Sequence, residues 1–231
     1  MAAKSTPRAP KPQTAQRFTT ALLRWYSRAA RDLPWRRTRD PYRIVVSEFM
    51  LQQTQVSRVE EYYPRFLKRF PTLGHLARAK PQAVREAWEG LGYYARASNL
   101  HALARQVSGT GYRVPEDPDE LQKLPGVGRY TAGAVACFAY EKPVATVDTN
   151  VARVIGRAFG NGERGMRNAE LWELASMLVP KNGKRAWRFN QAMMELGALV
   201  CTARNPKCPD CPVNACCNYR RLTKHGHAEK S

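Results

Sequence analysis

Four cysteines near the end of the chain, Cys201, Cys208, Cys211 and Cys217, are spaced C-x6-C-x2-C-x5-C. Four thiolates in so short a stretch can surround one inorganic centre, either a [4Fe–4S] cluster or a tetrahedral zinc ion. Cys216 offers a second choice of fourth ligand, so spacing leaves open both the centre and its last ligand. Cys137 stands far upstream in an apolar stretch and reads as a small buried hydrophobe.

Two carboxylates are as informative. Glu48 lies in the mostly apolar run Ile44–Leu51, and Asp148 heads the segment Val147-Asp-Thr-Asn150. Carboxylates next to apolar residues are unusual. A pair of them suits cleavage of a glycosidic bond, one donating a proton to the leaving group and the other facing an oxocarbenium-like carbon. Each also has a plain structural reading: Glu48 as the partner of an arginine, Asp148 as a helix N-cap. Spacing alone does not bring the two together.

The third feature is Leu124-Pro-Gly-Val-Gly-Arg-Tyr-Thr131, a tight turn between two helices. Gly126 and Gly128 are free to take φ > 0, and neither has a side chain to keep a phosphate from the backbone amides. Arg129 follows them as a cation.

The elements that must position these residues read as helices. From Gln16, the residues Phe18, Leu22, Trp25 and Tyr26 share one helical face. Asp40-Pro41 starts a second helix with an N-cap and a first-turn proline. Further helices are expected at about 57–70, 81–91 and 95–110, on both sides of the 125–128 turn, after Asp148 to near Gly160, and through Trp187–Leu196. Strand-like alternation is nearly absent, so the expected class is all-α. Residues 1–15, rich in Pro, Ala, Lys and Thr, read as a disordered basic tail.

The 231 residues carry 38 Lys and Arg against 19 Asp and Glu, a formal net charge of +19. Residues 1–15 contribute only Lys4, Arg8 and Lys11. Residues 218–231 contribute Arg220, Arg221, Lys224 and Lys230 against Glu229, so most of the excess lies between. Such a balance points to a polyanionic partner, most simply nucleic acid. No run of about 18 apolar residues occurs, which argues against a membrane span. An intracellular, DNA-associated location, in cytoplasm or nucleoid, is expected, where grouped cysteines serve a metal centre rather than disulfides.

Read together, these stretches resemble the helix-hairpin-helix Gly/Pro-Asp superfamily of DNA repair glycosylases. Ser47-Glu-Phe-Met-Leu-Gln-Gln-Thr-Gln-Val56, Gly90-Leu-Gly-Tyr-Tyr-Ala-Arg-Ala97 and Phe189-Asn-Gln-Ala-Met-Met-Glu-Leu-Gly197 resemble the MutY-type adenine DNA glycosylases. The resemblance covers about residues 17–217. It implies two helical domains with the active site in the cleft between them: a six-helix barrel with the hairpin over 36–142, and a [4Fe–4S] domain from 16–35 plus 143–217, followed by a basic tail at 218–231. It favours the cluster over zinc and Cys217 over Cys216.

The resemblance also implies roles. Glu48 aligns with the acid that protonates adenine at N7 and later handles water, and Asp148 with the carboxylate that stabilises or traps the oxocarbenium ion. Tyr130 aligns with a tyrosine beside that site. Arg31, Trp35, Arg36 and Leu51 align with the pocket wall, and Gln191 with a contact to the base. Gln52 and Gln53 belong to the DNA-binding segment; Gln53 and Tyr93 align with residues inserted in the duplex. The implied partner is double-stranded DNA with a mismatched or damaged base, bound by a monomer.

Three departures bear on specificity. Endonuclease III-type members have a strand-cleaving lysine where Tyr130 stands, so base removal with little lyase activity is expected. MutY-type proteins usually carry a C-terminal Nudix-like domain, whereas this chain ends 14 residues after Cys217. Asp148-Thr-Asn150 stands where MutY-type enzymes usually have Asp-Gly-Asn. The expected function is excision of adenine opposite guanine or 8-oxoguanine; the alternative is a thymine or uracil glycosylase for T·G or U·G pairs, suggested by the similarly short thymine–guanine enzymes.

Overall fold

The computed structural model describes residues 10–160 and 166–226. The regular elements among them are helical, which agrees with the all-α expectation. In chain order they are α1 Pro12–Ala29, α2 Pro41–Leu51, α3 Val56–Arg69, α4 Leu73–Arg78, α5 Pro81–Ala87, α6 Ala95–Gln106, α7 Pro118–Gln122, α8 Arg129–Tyr140, α9 Thr149–Phe159, α10 Asn168–Leu178, α11 Gly183–Leu199 and α12 Asn218–Gly226. Short 3-10 turns occur at Pro34–Arg37, Val107–Thr110 and Asn214–Cys216. Among the described residues no helix is long and apolar enough to cross a membrane.

The chain divides into two compact units, residues 32–142 and the two chain ends 1–31 with 143–231. In the 32–142 unit α2 is the central helix. The Asp40 side chain accepts from the Tyr42 and Arg43 amides at 2.9 and 3.2 Å, and Pro41 sits in the first turn, so this helix starts where the sequence signals it. Ile44, Val45, Val46, Phe49 and Met50 are all buried, and α2 packs on α3, α6 and α8. In the other unit α11 packs on α1 and α9, while α10 and α12 lie against α9. Phe18 of α1 meets Phe159 of α9 at 4.9 Å between ring centroids.

Several elements differ from expectation: the helix expected over 81–91 ends at Ala87, and α10 was not expected. Helix α1 starts at Pro12, inside the stretch read as a disordered tail; residues 1–9 of that stretch lie outside the described residues. Pro12 supplies a preset φ, and the Lys11 carbonyl accepts from Ala15, so polar composition is overridden by a good helix start. Helix α12 occupies 218–226 of the basic C-terminal stretch, the rest of which lies outside the described residues. The helix expected to reach Thr110 tightens into a 3-10 turn after Gln106 and stops at Gly111, whose φ is +70°.

The hairpin between α7 and α8 uses its two glycines differently. Gly126 has φ +73°, and a Cβ there would lie 2.8 Å from Asn99 Cβ and 2.9 Å from Phe49 Cε1. Gly128 has φ −87° and ψ 177°, ordinary extended backbone, with open space where a Cβ would point. Only the first glycine is therefore demanded by the fold. Gly126→Ala is expected to destabilise the protein by about 1–3 kcal/mol through overpacking and backbone strain. Gly128→Ala should leave the urea midpoint nearly unchanged; chemical denaturation of both variants checks the contrast.

Candidate active site and metal centre

In the 32–142 unit the candidate groups surround α2 and the hairpin. Glu48 is 4% exposed on the otherwise apolar α2. At the end of that helix the half-buried Gln52 donates from Nε2 to Thr131 Oγ1 of α8 at 3.4 Å, tying this segment to the hairpin helix. Gly128 caps α8, its carbonyl accepting from Ala132 at 2.9 Å. Gly126, Gly128 and Arg129 are all exposed, while Tyr130 is half-buried one residue further on. A short turn ending on a helix N-terminus presents amides to an anion. Trp35 is buried edge-on against Tyr63 at 5.6 Å; Arg36 and Leu51 are half-buried.

Gln53 and Tyr93 share a feature that spacing could not reveal. Both adopt left-handed backbone, with φ 56° and 47°. A residue with a side chain held there costs about 1–2 kcal/mol, so the surroundings must enforce it. Both side chains are exposed, Tyr93 at 64%. Tyr93 follows Gly90 and Gly92, also at positive φ, in a turn gripped from several sides. Arg58 Nε donates to the Gly90 carbonyl at 2.7 Å and Trp88 Nε1 to the Gly92 carbonyl at 3.2 Å.

In the other unit Asp148 is the N-cap of α9. Its Oδ1 accepts from the Val151 amide at 2.6 Å and its Oδ2 from Asn150 Nδ2 at 3.3 Å. Arg153 sets the orientation of Asn150. Its Nη2 donates to Asn150 Oδ1 and to the Gly197 carbonyl, both at 2.7 Å, and its Nε donates to the Cys201 carbonyl at 2.7 Å. Gly197 of α11 lets the helices approach, since a Cβ there would sit 2.6 Å from Asn150 Cβ. Asn190 of α11 steadies the approach to Asp148: it donates to the Val144 carbonyl at 2.9 Å and accepts from Thr146. Gln191 beside it is buried. Arg31, expected in a pocket wall, binds Glu195 in a fork at 2.7 and 3.0 Å, and Glu195 is fully buried.

The cysteine loop hangs from the same helix. Cys201, Cys208, Cys211 and Cys217 line one cavity together with Arg157, Val200, Lys207 and Tyr219; Cys216 is not in its wall. Arg157 donates to the Thr202 carbonyl at 2.7 Å and lies 3.5 Å from Cys201 Sγ. Burial pushes the Cys211 thiol up to about 11, and the neighbouring Cys201, Cys217 and Cys208 push the same way. Among the described residues no three His, Cys, Asp or Glu side chains converge tightly enough to hold one metal ion.

Asn150, Arg153, Arg157 and Asn190 were not singled out from sequence. Asn150 and Asn190 stood inside quoted stretches without a role, and the signal for the arginines was their spacing, four residues apart on one helix face.

A family model described as HhH-GPD superfamily base excision DNA repair protein matches residues 46–177. An adenine DNA glycosylase of Mycolicibacterium smegmatis is 49% identical over 199 residues, covering 84% of this chain and 67% of that protein. An adenine DNA glycosylase of Rattus norvegicus is 44% identical over 222 residues; this chain spans 90% of its own length but 43% of that relative. Among solved structures, a thermostable thymine-DNA glycosylase superimposes with TM-score 0.85 at 34% identity, over 91% of this chain and 98% of that one. An endonuclease III trapped as a covalent intermediate with DNA gives TM-score 0.79 at 25% identity, over 93% and 99%.

Burial raises Asp148 above its ordinary 3.8, opposed by the Val151 amide, Asn150 and the Arg153 charge. The folded state thus holds this proton more tightly than the unfolded state. Its contribution to stability is full below pH 3.8 and is lost as pH rises through the higher folded value. Asp148→Asn, which keeps a capping side chain, is expected to raise the thermal midpoint at neutral pH; a lower midpoint would contradict this reading.

Proposed function

Because this chain belongs to the HhH-GPD superfamily of base excision DNA repair proteins, we propose that it hydrolyses the N-glycosidic bond of adenine mispaired with guanine or 8-oxoguanine in duplex DNA. The observation that carries the reading is its high identity to adenine DNA glycosylases over most of its length. That identity exceeds its identity to the thymine-DNA glycosylase structure, so adenine is preferred to thymine or uracil.

Two carboxylates carry the chemistry. Glu48, in an apolar setting suited to a carboxylic acid, gives its proton to adenine N7. The C1′–N9 bond then breaks, its electron pair leaving with the base. Asp148, kept in a fixed rotamer by Val151 and Asn150, faces the developing positive charge on the sugar with its carboxylate. Water adds to C1′ and Glu48 takes up a proton, leaving free adenine and an abasic site. Tyr130 stands beside the hairpin, and a phenol there does not form the Schiff base through which a lysine cleaves the strand.

The base must leave the stack before any of this. Gln53 and Tyr93, exposed on strained turns, are suited to fill the gap. Gly126, Gly128 and Arg129 serve as the phosphate contact. Arg36, Trp35, Leu51, Gln52, Arg31 and Gln191 are assigned to the surroundings of the extruded base. The basic surface draws the duplex in, so binding should weaken with salt. The proposed location is intracellular and DNA-associated, in cytoplasm or nucleoid.

Cys201, Cys208, Cys211 and Cys217 would hold a [4Fe–4S] cluster, supported by the shared cavity and by the absence of Cys216 from its wall. Such a cluster would supply cross-linking of the 201–217 loop rather than redox turnover.

Glu48→Gln should reduce single-turnover excision from an A·G duplex by at least about 100-fold while duplex binding persists; unchanged excision refutes the acid role. A panel of A·8-oxoG, A·G, T·G and U·G duplexes, each read with and without alkali, tests the substrate. Intact A·G and A·8-oxoG duplexes, or strand breaks without alkali, would overturn the reading. Cys217→Ser should lose the broad absorption near ~400 nm typical of such clusters, and Cys216→Ser should keep it; the reverse outcome, or a colourless zinc protein, refutes the ligand set.

A further inference from the structure

The two exposed side chains assigned to the duplex, Gln53 and Tyr93, come from separate turns of the 32–142 unit, yet one buried group holds both. Arg96 of α6 is 7% exposed. Its Nη1 donates to the carbonyls of Phe49 at 3.0 Å, Met50 at 2.7 Å and Gln52. Its Nη2 donates to Thr54 Oγ1 at 3.0 Å and to the carbonyls of Leu91 and Gly92, both at 3.1 Å. Gln52 and Thr54 flank Gln53 in the chain, and Leu91 and Gly92 immediately precede Tyr93. The guanidinium also lies 5.4 Å from the Trp88 ring and 5.6 Å from the Tyr93 ring.

This is an unusual use of a buried cation. Its hydrogen-bond partners are main-chain carbonyls and one hydroxyl, not a carboxylate. The Phe49 and Met50 carbonyls belong to the last turn of α2, where orphan acceptors and the helix dipole favour a positive charge. Helix α2 has no basic residue of its own in that turn. The second amino group, Nη2, spans both turns, reaching Thr54 of the first and the Leu91 and Gly92 carbonyls of the second. A lysine ammonium is a single point charge without the two amino groups that reach these six acceptors.

We propose that Arg96 is a positioning residue that sets both duplex-inserting turns at once, so that base extrusion depends on it while general DNA affinity does not. The inference rests on the glycosylase reading above. Gln53 and Tyr93 are both in left-handed backbone, and the carbonyls that fix those conformations converge on one guanidinium. Movement of either turn would require giving up bonds to a buried charge. The phosphate contacts of the hairpin lie on other residues and do not use Arg96.

The test uses the intact protein. The wild type is first run on the mismatch panel to establish which base it removes. On that duplex Arg96→Lys should lower the single-turnover rate constant about 100-fold, the scale of a small misplacement of reacting groups. Affinity for an undamaged duplex should change by less than about threefold, because phosphate contacts carry it. The fluorescence rise of 2-aminopurine placed at the target, which reports extrusion, should be lost. In a Tyr93→Ala background the Arg96→Lys penalty should shrink, since the side chain it positions is gone. Turnover within about threefold of wild type, parallel loss of turnover and duplex affinity, or fully additive losses would each overturn the proposal. If Arg96→Lys does not fold, Trp88→Phe, which removes one further bond to the Gly92 carbonyl, should show the same split between extrusion and affinity at smaller size; no split overturns the proposal. A wild type that removes no base from any duplex instead defeats the glycosylase reading itself.

Discussion

Helix α9 carries a carboxylate at its head and holds the cysteine loop near its tail. Asp148 is fixed there by the Val151 amide, a bond made only while the first turn of α9 is intact. One turn on, Arg153 reaches Asn150, Gly197 and Cys201 together, and Arg157 grips Thr202 and Ala203. The first turn of the helix, its packing on α11 and the start of the cysteine loop are thus parts of one hydrogen-bonded arrangement. A half-buried carboxylate resists ionisation, and the amides and the Arg153 charge oppose that resistance.

The same solution recurs elsewhere in the molecule. Arg96, Arg153 and Arg157 all direct their donors mainly to backbone carbonyls. Of the three only Arg96 is buried, and Arg153 and Arg157 are half-buried. Carbonyls at helix ends and in turns are abundant, and they need donors of their own once removed from water. An arginine can bridge several of them across segments distant in sequence, which a short polar side chain cannot. Arg31 with the fully buried Glu195 is the contrasting case, a fork–fork pair between α11 and the segment after α1.

Much of the design is local and was legible. Asp40-Pro41 starts α2, Asp148 caps α9, and Gly128 of the 124–131 turn is the N-cap of α8. The hairpin shows the limit of that reading. Both glycines were free to adopt positive φ, but only Gly126 does so, because Asn99 and Phe49 crowd it while Gly128 faces open space. Polar composition at 12–15 suggested disorder, yet a proline at the first turn of α1 outweighed it. Left-handed backbone at Gln53 and Tyr93 could not be anticipated, since neither residue type favours it.

What the sequence determined by itself was the inventory and its local geometry: four thiols at cluster spacing, one carboxylate in an apolar helix, another at a helix head, a turn able to meet phosphate, and an excess of positive charge. Those follow from residue type and from periods of a few residues. The tertiary structure decided which thiols share a cavity, that Arg31 is bound to Glu195, that Arg153 lies behind Asp148, and that one arginine serves two turns. These depend on hydrogen bonds between residues 44, 48 or 164 positions apart. No local periodicity encodes such pairings; they form only when packed helices bring buried donors and acceptors within reach of one another.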